Sequence, residues 1–540
     1  LDMAKKNIPH PEDHFFPKTQ SQMHCRKSTL RMVIYPTNDW VPKTLGLDVF
    51  GVVISTLNRA RVLALSTFYP DNLYKQICEV TVLSRNINRR QFIKSVLLTS
   101  GAVALASKVG VKNAHALENV SVIVVGAGIA GLGAAHMLRK HGAKVTVLEA
   151  KDHTGGRLLT DWSMGAPFEV GAGWIHGPSS DNPSKQLADA VNAQYVVTDD
   201  ENAVYFDLDG YEYDDDEVER IVDAWEGVLD HIDRSYEVND HRSLLQAIKD
   251  YRPAYLEDPG IMWAFSAFTE FSKGGSIEKL SAPLFNWDEA FDGDDVVVTS
   301  GYDEILKPLK EGLDIKLSHV VTSIDYSADE GVSITTDQGT FEADYCICTV
   351  PLGVLKANKI SFEPELPGDY RQSIENLGFG SVAKLALKFD EPFWDIETQY
   401  FGITTEPKGR WNCWLSYRTF SDENILLGLS VGDYALKADQ MSDAEMVEDA
   451  LAVLRTVWED DVTEPIDVLA THWSTDPFTL GAYSFPRPGN RKSDFDDLGE
   501  PVADRLFLAG EHTIFDYAGT THGAYMTGLR AAEYIIDEEG

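Results

Sequence analysis

A chain of 540 residues, 44% of them hydrophobic, can bury a large core and is long enough for two domains. Its formal charge of −38 divides into +9 over residues 1–116 and −47 over 117–540; that acidity repels phosphate backbones, excludes nucleic acid as a partner and favours encounter with small cations. No apolar run is long and clean enough for a stably inserted transmembrane helix, the five cysteines (Cys25, Cys78, Cys346, Cys348, Cys413) make no disulfide framework, and no Cys/His spacing points to a metal site.

Residues 1–83 lack clear periodicity and end in a patchy mix of proline, arginine and aromatics. With an opening Leu1 they read as an extension without a stable fold, translation being expected to start near 80–83. The stretch 84–94 carries a twin arginine, Arg89-Arg90, followed by a mildly apolar stretch, 95–106, and by Ala114-His115-Ala116. A charged start, a short apolar middle and an A-x-A end form the pattern of an export signal, and twin arginine is the mark of the route taken by folded, cofactor-loaded proteins. Cleavage after Ala116 would release a periplasmic or secreted chain starting at Leu117.

An apolar run, 120–125, then leads into Gly126, Gly128 and Gly131 and a helix-like segment through Lys140; a second apolar run, 144–148, ends at Glu149. Strand, G-x-G-x-x-G, helix and strand form a dinucleotide unit. The glycines let the backbone turn tightly and approach a pyrophosphate, the helix start offers free N–H groups, and Glu149 stands where an acid accepts hydrogen bonds from a ribose. Gly155-Gly156-Arg157 follows; the pair of glycines allows a second close pass of the backbone and the arginine can neutralise a second phosphate region.

Residues 196–294 are rich in helical spacing, as in 218–225. Strand signals return at 295–299, 301–302, 315–326, 331–335 and 345–355; on a strand Cys346 and Cys348 share one face, which reads as packing. Two acidic runs, 214–217 and 292–295, read as solvated faces. In the alternating stretch 381–389, Lys384 and Lys388 fall on one face, with Ser381, Ala383, Leu385, Leu387 and Phe389 on the other. No repeats or low-complexity tracts occur.

Three further motifs carry a family resemblance: E-V-G-A-G-W-I-H-G at 169–177, R-L-F-L-A-G-E-H-T at 505–513 and G-T-T-H-G-A-Y-M-T-G-L-R at 519–530. With the glycine motif, in this order, the chain resembles the flavin-containing amine oxidases, the family of monoamine oxidases, polyamine oxidases and flavin-dependent histone lysine demethylases, from about 120 to about 536. The resemblance implies FAD, and an α/β architecture in which a Rossmann-like FAD-binding domain (117–195, 295–380 and 487–540) is interleaved with an α+β substrate-binding domain (196–294 and 381–486). It further implies cofactor contacts from Lys151, Gly173, Trp174, Val321, Trp473, Glu511, Thr520 and Thr521 besides the glycines, Glu149 and Arg157.

The resemblance also implies the catalytic residues. Lys384 matches the lysine that holds a water against flavin N5 and assists reaction with dioxygen, a fixed positive charge where negative charge develops. Tyr483 matches an aromatic beside the flavin that guides the amine nitrogen. His176 matches the polyamine-oxidase histidine in the substrate channel, where a neutral imidazole can accept a hydrogen bond from an amine. Thr520 stands where monoamine oxidases have a second aromatic, which implies a larger or longer amine. Ala482 stands where they attach FAD through cysteine, so the FAD should be non-covalent. Gly519 departs from animal-type polyamine oxidases, which place serine there.

The expected activity is oxidation of a small cationic amine, foremost a polyamine, by hydride transfer to flavin, with dioxygen reduced to hydrogen peroxide. Monoamine or L-amino-acid oxidation, or dehydrogenation with a periplasmic electron acceptor, are the alternatives; no arginine clamp for an amino-acid carboxylate is assigned. An export signal and the −47 balance fit no chromatin role.

Overall fold

The computed structural model describes residues 117–540 apart from Asp329. The extension 1–83, the twin-arginine segment 84–116, Cys25 and Cys78 lie outside the described residues. Strand β1 (Ser121–Val125) turns through glycine into helix α1 (Ile129–Lys140) and returns as β2 (Lys144–Leu148), parallel to β1 with Ser121 opposite Lys144 and Val125 opposite Leu148. A six-stranded sheet forms around this unit in the order Pro501–Val502, Leu506–Leu508, Tyr345–Cys348, β1, β2, Asp314–Lys316; only Pro501–Val502 runs antiparallel to its neighbour.

Both faces of this sheet are buried, so β1 is continuously apolar from Val122 to Val125 rather than alternating. Val122 and Val124 pack with α1, while Ile123 and Val125 enter a second core with Ile324, Leu352 and Phe495. Cys346 and Cys348 share that second core, and burial pushes both thiols up, Cys348 to about 12, so neither is a ready thiolate.

Helix α2 (Asp215–Ser235) starts with the acidic run: Asp214 caps the Glu217 N–H at 2.9 Å, and three acids occupy the first turn at the positive end of the helix dipole. Strand β3 (Ala383–Lys388) belongs to a second six-stranded sheet, in the order Asp467–Ala470, β3, Ile425–Ser430, Cys413–Ser416, Tyr400–Ile403, Ala203–Phe206. Ala383, Leu385 and Leu387 enter a core with Trp414 and Leu454; Val382 and Ala386 point to the other side, with Met164 and Phe168, and the two lysines share that second face. The chain closes with helix α3 (Thr521–Glu539), laid against α1 where Gly528 approaches the Ala130 carbonyl. No helix among the described residues is long and apolar enough to cross a membrane.

Three strand readings change. Residues 301–302 are not a strand: Gly301 at φ +95° ends the strand Val296–Val298, and the Tyr302 N–H goes to the Glu169 carboxylate at 2.8 Å as a 3-10 turn begins. The run 315–326 is two strands, Asp314–Lys316 and Val321–Asp325, in different sheets, with Ser318 at φ +55° between them. The run 345–355 is a strand only through Cys348; Pro351 then precedes the short helix Leu352–Lys356.

Candidate active site

The glycine turn sits at the C-terminal end of β1. Gly126 has φ +103°, and a Cβ on Gly131 would stand 2.0 Å from the Gly126 carbonyl oxygen, so the turn and the first turn of α1 close only without side chains. A Cβ on Gly128 would meet only the Gly155 carbonyl, at 3.8 Å. The Gly155-Gly156 turn runs alongside, its Gly155 N–H donating to the Ala127 carbonyl at 2.9 Å. Two side-chain-free turns at the positive end of a 12-residue helix fit a pyrophosphate. Helix α3 begins nearby in the fold with Thr520 as its cap, accepting from the Gly523 N–H at 2.9 Å, and Thr521 as its first residue.

Glu149 ends β2, buried, with its carboxylate accepting the N–H groups of Ala127 at 2.7 Å and Lys151 at 2.9 Å. The Glu149 carbonyl takes the His319 N–H at 2.8 Å, which brings the start of Val321–Asp325 beside Glu149. The Lys151 side chain is paired with Asp476 and lies 5.5 Å from the centre of the Trp473 ring, whose Nε1–H donates to the Val170 carbonyl at 3.0 Å. Arg157 donates through Nη1 to Glu511 at 2.9 Å and to the Ala482 carbonyl at 2.6 Å. Glu511 also accepts the Ser484 hydroxyl at 2.6 Å and the Gly519 N–H at 3.1 Å. Burial works against its charge, but Arg157 and these donors hold its carboxyl below the usual range. Lys151 and Arg157 thus tie loops on either side of the cradle together.

Lys384 is 6% exposed. Its Nζ donates to the carbonyls of Glu169 at 3.0 Å and Gly171 at 2.6 Å, and sits 5.6 Å from the centre of the Trp174 ring. A Cβ on Gly173 would come 3.3 Å from that Nζ. Burial pulls the ammonium below the ordinary lysine range, with Glu169 opposing. Burial likewise pushes the Glu169 carboxyl up, although Tyr302 N–H and the Thr160 hydroxyl, at 2.9 Å, donate to it. Glu169, Gly173, Trp174, Lys384, Tyr417 and Phe420 line part of one small cavity.

Tyr483 donates its hydroxyl to the Phe271 carbonyl at 2.5 Å, and the Phe271 ring meets Trp174 edge-on at 6.0 Å. Burial pushes the Tyr483 phenol up, so it stays protonated. The His176 side chain is 59% exposed and its Nδ1 lies 2.5 Å from Asp295, which also accepts the Gly177 N–H at 3.0 Å. Partial loss of hydration opposes charging this largely exposed ring, but the Asp295 carboxylate outweighs it and the pKa is raised, which shifts the ring toward the cation and away from the expected neutral imidazole. The structure therefore joins Gly173, Trp174 and Lys384 directly, and Tyr483 to them through Phe271.

Motif reasoning missed Phe271, Glu169 and Asp295 as working parts. Asp295 closes an acidic run that otherwise faces solvent, and only its partner on another segment marks it. We expect Asp295→Asn to move the His176 titration to lower pH, measured by NMR of the ring, because the carboxylate that favours the cation is then gone. A raised histidine pKa stabilises below the unfolded value and ceases to do so as pH rises through the folded one, so the melting-temperature loss in Asp295→Asn should be larger at mildly acidic than at alkaline pH.

Among the described residues no His/Cys/Asp/Glu cluster could hold a metal ion. The family pattern for flavin containing amine oxidoreductase matches residues 129–536. Polyamine oxidase 4 of Oryza sativa subsp. japonica is 33% identical over 434 residues, covering 76% of this chain and 88% of its own length. Probable polyamine oxidase 4 of Arabidopsis thaliana is 32% identical over 445 residues, covering 78% and 88%. Lysine-specific histone demethylase 1 homolog 1 of Oryza sativa subsp. japonica is 33% identical over 445 residues, covering 77% of this chain but 52% of its own length. A solved structure of putrescine oxidase, a double mutant redesigned for cofactor binding, matches with a TM-score of 0.66 at 21% identity over 77% of this chain and 99% of that one, which shows a shared fold. With the pattern spanning most of the chain, the protein belongs to the flavin-containing amine oxidoreductases and is an amine-oxidising enzyme of the interleaved flavin-binding and substrate-binding fold.

Proposed function

We propose that the chain oxidises a polyamine, removing a hydride from the carbon beside an uncharged nitrogen, with FAD held non-covalently and dioxygen as the acceptor. One observation carries this: a buried lysine ammonium, fixed by two backbone carbonyls beside Gly173 and Trp174, in a chain whose relatives include polyamine oxidases. When bound, FAD supplies the two-electron chemistry at N5 and its return to the oxidised form with release of hydrogen peroxide.

The residues present suit that cofactor. Gly126, Gly128, Gly131 and the Gly155-Gly156 turn would hold the pyrophosphate, and Glu149 would face the ribose. Lys384 holds a positive charge without moving. Tyr483, its proton retained and its hydroxyl tied to Phe271, offers an amine the face of a ring instead of a basic oxygen. Ala482 has no sulfur with which to form a thioether, and its carbonyl is bound by Arg157. The acidic surface would concentrate polycations near the entrance. Amines are protonated at neutral pH, so the rate should rise with pH along its acid limb.

The test is an anaerobic panel of putrescine, spermidine, spermine, tyramine and lysine, following loss of flavin absorbance, then admission of air with peroxide measured. Fastest bleaching by tyramine or lysine would move the substrate to a monoamine or an L-amino acid. Bleaching without peroxide would point to a periplasmic electron acceptor. Failure to take up FAD at all would remove the reading entirely. The twin arginine and the A-x-A at 114–116 support export by the twin-arginine machinery, and the exported form should begin at Leu117 on N-terminal sequencing.

A further inference from the structure

We infer that Glu270 and Lys408 form a positioning couple that sets the placement of Tyr483 and Trp174; this rests on the reading of Tyr483 as a wall of the amine site. Neither residue lies in a motif that the sequence singles out.

The observation begins with the backbone. The helix Pro259–Ala264 widens into a π turn, Phe265–Glu270, before a last helical piece, Phe271–Lys273. Such turns are rare, and in other proteins recur at functional sites. Glu270 ends this one and is fully buried at 0% exposure. One carboxylate oxygen accepts the Ile277 N–H at 2.8 Å and the Lys408 ammonium; the other has no partner and lies where a Cβ on Gly432 would come within 2.6 Å. A buried carboxylate is tolerated when paired, so Lys408 anchors the end of the turn.

The next four residues make the connection. The Phe271 carbonyl accepts the Tyr483 hydroxyl, and its ring meets Trp174 edge-on. Gly274, at φ +70°, lies against the Tyr483 ring so closely that a Cβ would come 2.6 Å from Cε2. Its carbonyl abuts Gly380, where a Cβ would be 1.7 Å away, and the Gly380 N–H donates to the Tyr483 carbonyl at 3.0 Å. The hydroxyl and the ring of Tyr483 are thus both placed by the segment that Glu270 anchors. Trp174 takes its edge contact from that same segment, and its ring centre lies 5.6 Å from the Lys384 Nζ.

The test is a double-mutant cycle on the holoenzyme. Glu270→Gln keeps an acceptor for the Ile277 N–H and removes the ion pair; Tyr483→Phe removes the hydroxyl that binds the Phe271 carbonyl. Each should slow the limiting rate of anaerobic bleaching by spermidine about tenfold, a loss in keeping with a small misplacement, and should slow it more than re-colouring in air. Because both act on the contact with Phe271, while Tyr483→Phe leaves the ring against Gly274, the double variant should lose less than the product of the two singles; a full loss of about a hundredfold, or native bleaching in Glu270→Gln, would overturn the couple. If Glu270→Gln does not fold, the neutral pair Glu270→Gln with Lys408→Met takes its place. A crystal structure of the variant gives a readout independent of turnover. A displaced Tyr483 ring upholds the couple even if no amine bleaches the native enzyme, in which case the substrate reading alone fails; an unmoved ring overturns the couple.

Discussion

Lys384→Met should bleach with amine at close to the native rate yet re-colour in air about a hundredfold more slowly, the loss expected when a fixed charge is taken from a developing anion. The side chain is held by two carbonyls, so its charge is in place before any reaction and costs no reorganisation. Methionine fills the same volume and keeps the apolar stem, which separates charge from packing. The pH profile gives a second check. Burial draws the ammonium below the ordinary lysine range, so the native re-colouring rate should fall as pH rises on the alkaline side, and the methionine variant should lack that limb. Stopped-flow mixing of the reduced enzyme with aerated buffer reads both quantities. Native re-colouring in the variant would end the assignment.

Gly131→Ala is expected to yield a colourless protein. Its added carbon would stand 2.0 Å from the Gly126 carbonyl and 3.1 Å from both Thr349 Oγ1 and Val124 Cγ1, so the turn and α1 must part. Overpacking against backbone costs about 1–3 kcal/mol or more, and here the distortion falls on the cofactor cradle. Gly128→Ala is the contrast, because its methyl would meet nothing nearer than 3.8 Å in the protein. That variant should melt like native apoprotein but take up FAD poorly, its methyl occupying the space left for the pyrophosphate. The melting temperature of the apoprotein distinguishes the two, and FAD content by absorbance checks the loss expected of both. A yellow Gly131→Ala protein with native stability would show that this close approach does not matter.

Features of short range could be read directly from residue order. The first dinucleotide unit appears as read because a run of four apolar residues, a glycine turn and a 12-residue helical segment dictate it locally. The shared face of Lys384 and Lys388 follows from the period of two in a strand, and so does the shared face of Cys346 and Cys348. Two of the strand readings that changed are ones in which a single backbone angle decides. Gly301 and Ser318, both at positive φ, stop runs whose side chains alone suit a strand.

The partners of the charged groups could not be read. Arg157 and Glu511 lie 354 positions apart, Lys151 and Asp476 are separated by 325, and Asp295 meets His176 from a run of acids that otherwise faces water. Residue order carries periodicity and local turn chemistry, and these suffice for the glycine cradle, the buried strands and the family motifs. The charge state of His176, the burial of Glu169 beside Lys384 and the clamp of Phe271 on Tyr483 were decided only when distant segments packed together. Electrostatic energy and desolvation depend on distance and burial, and neither is defined until the chain has folded.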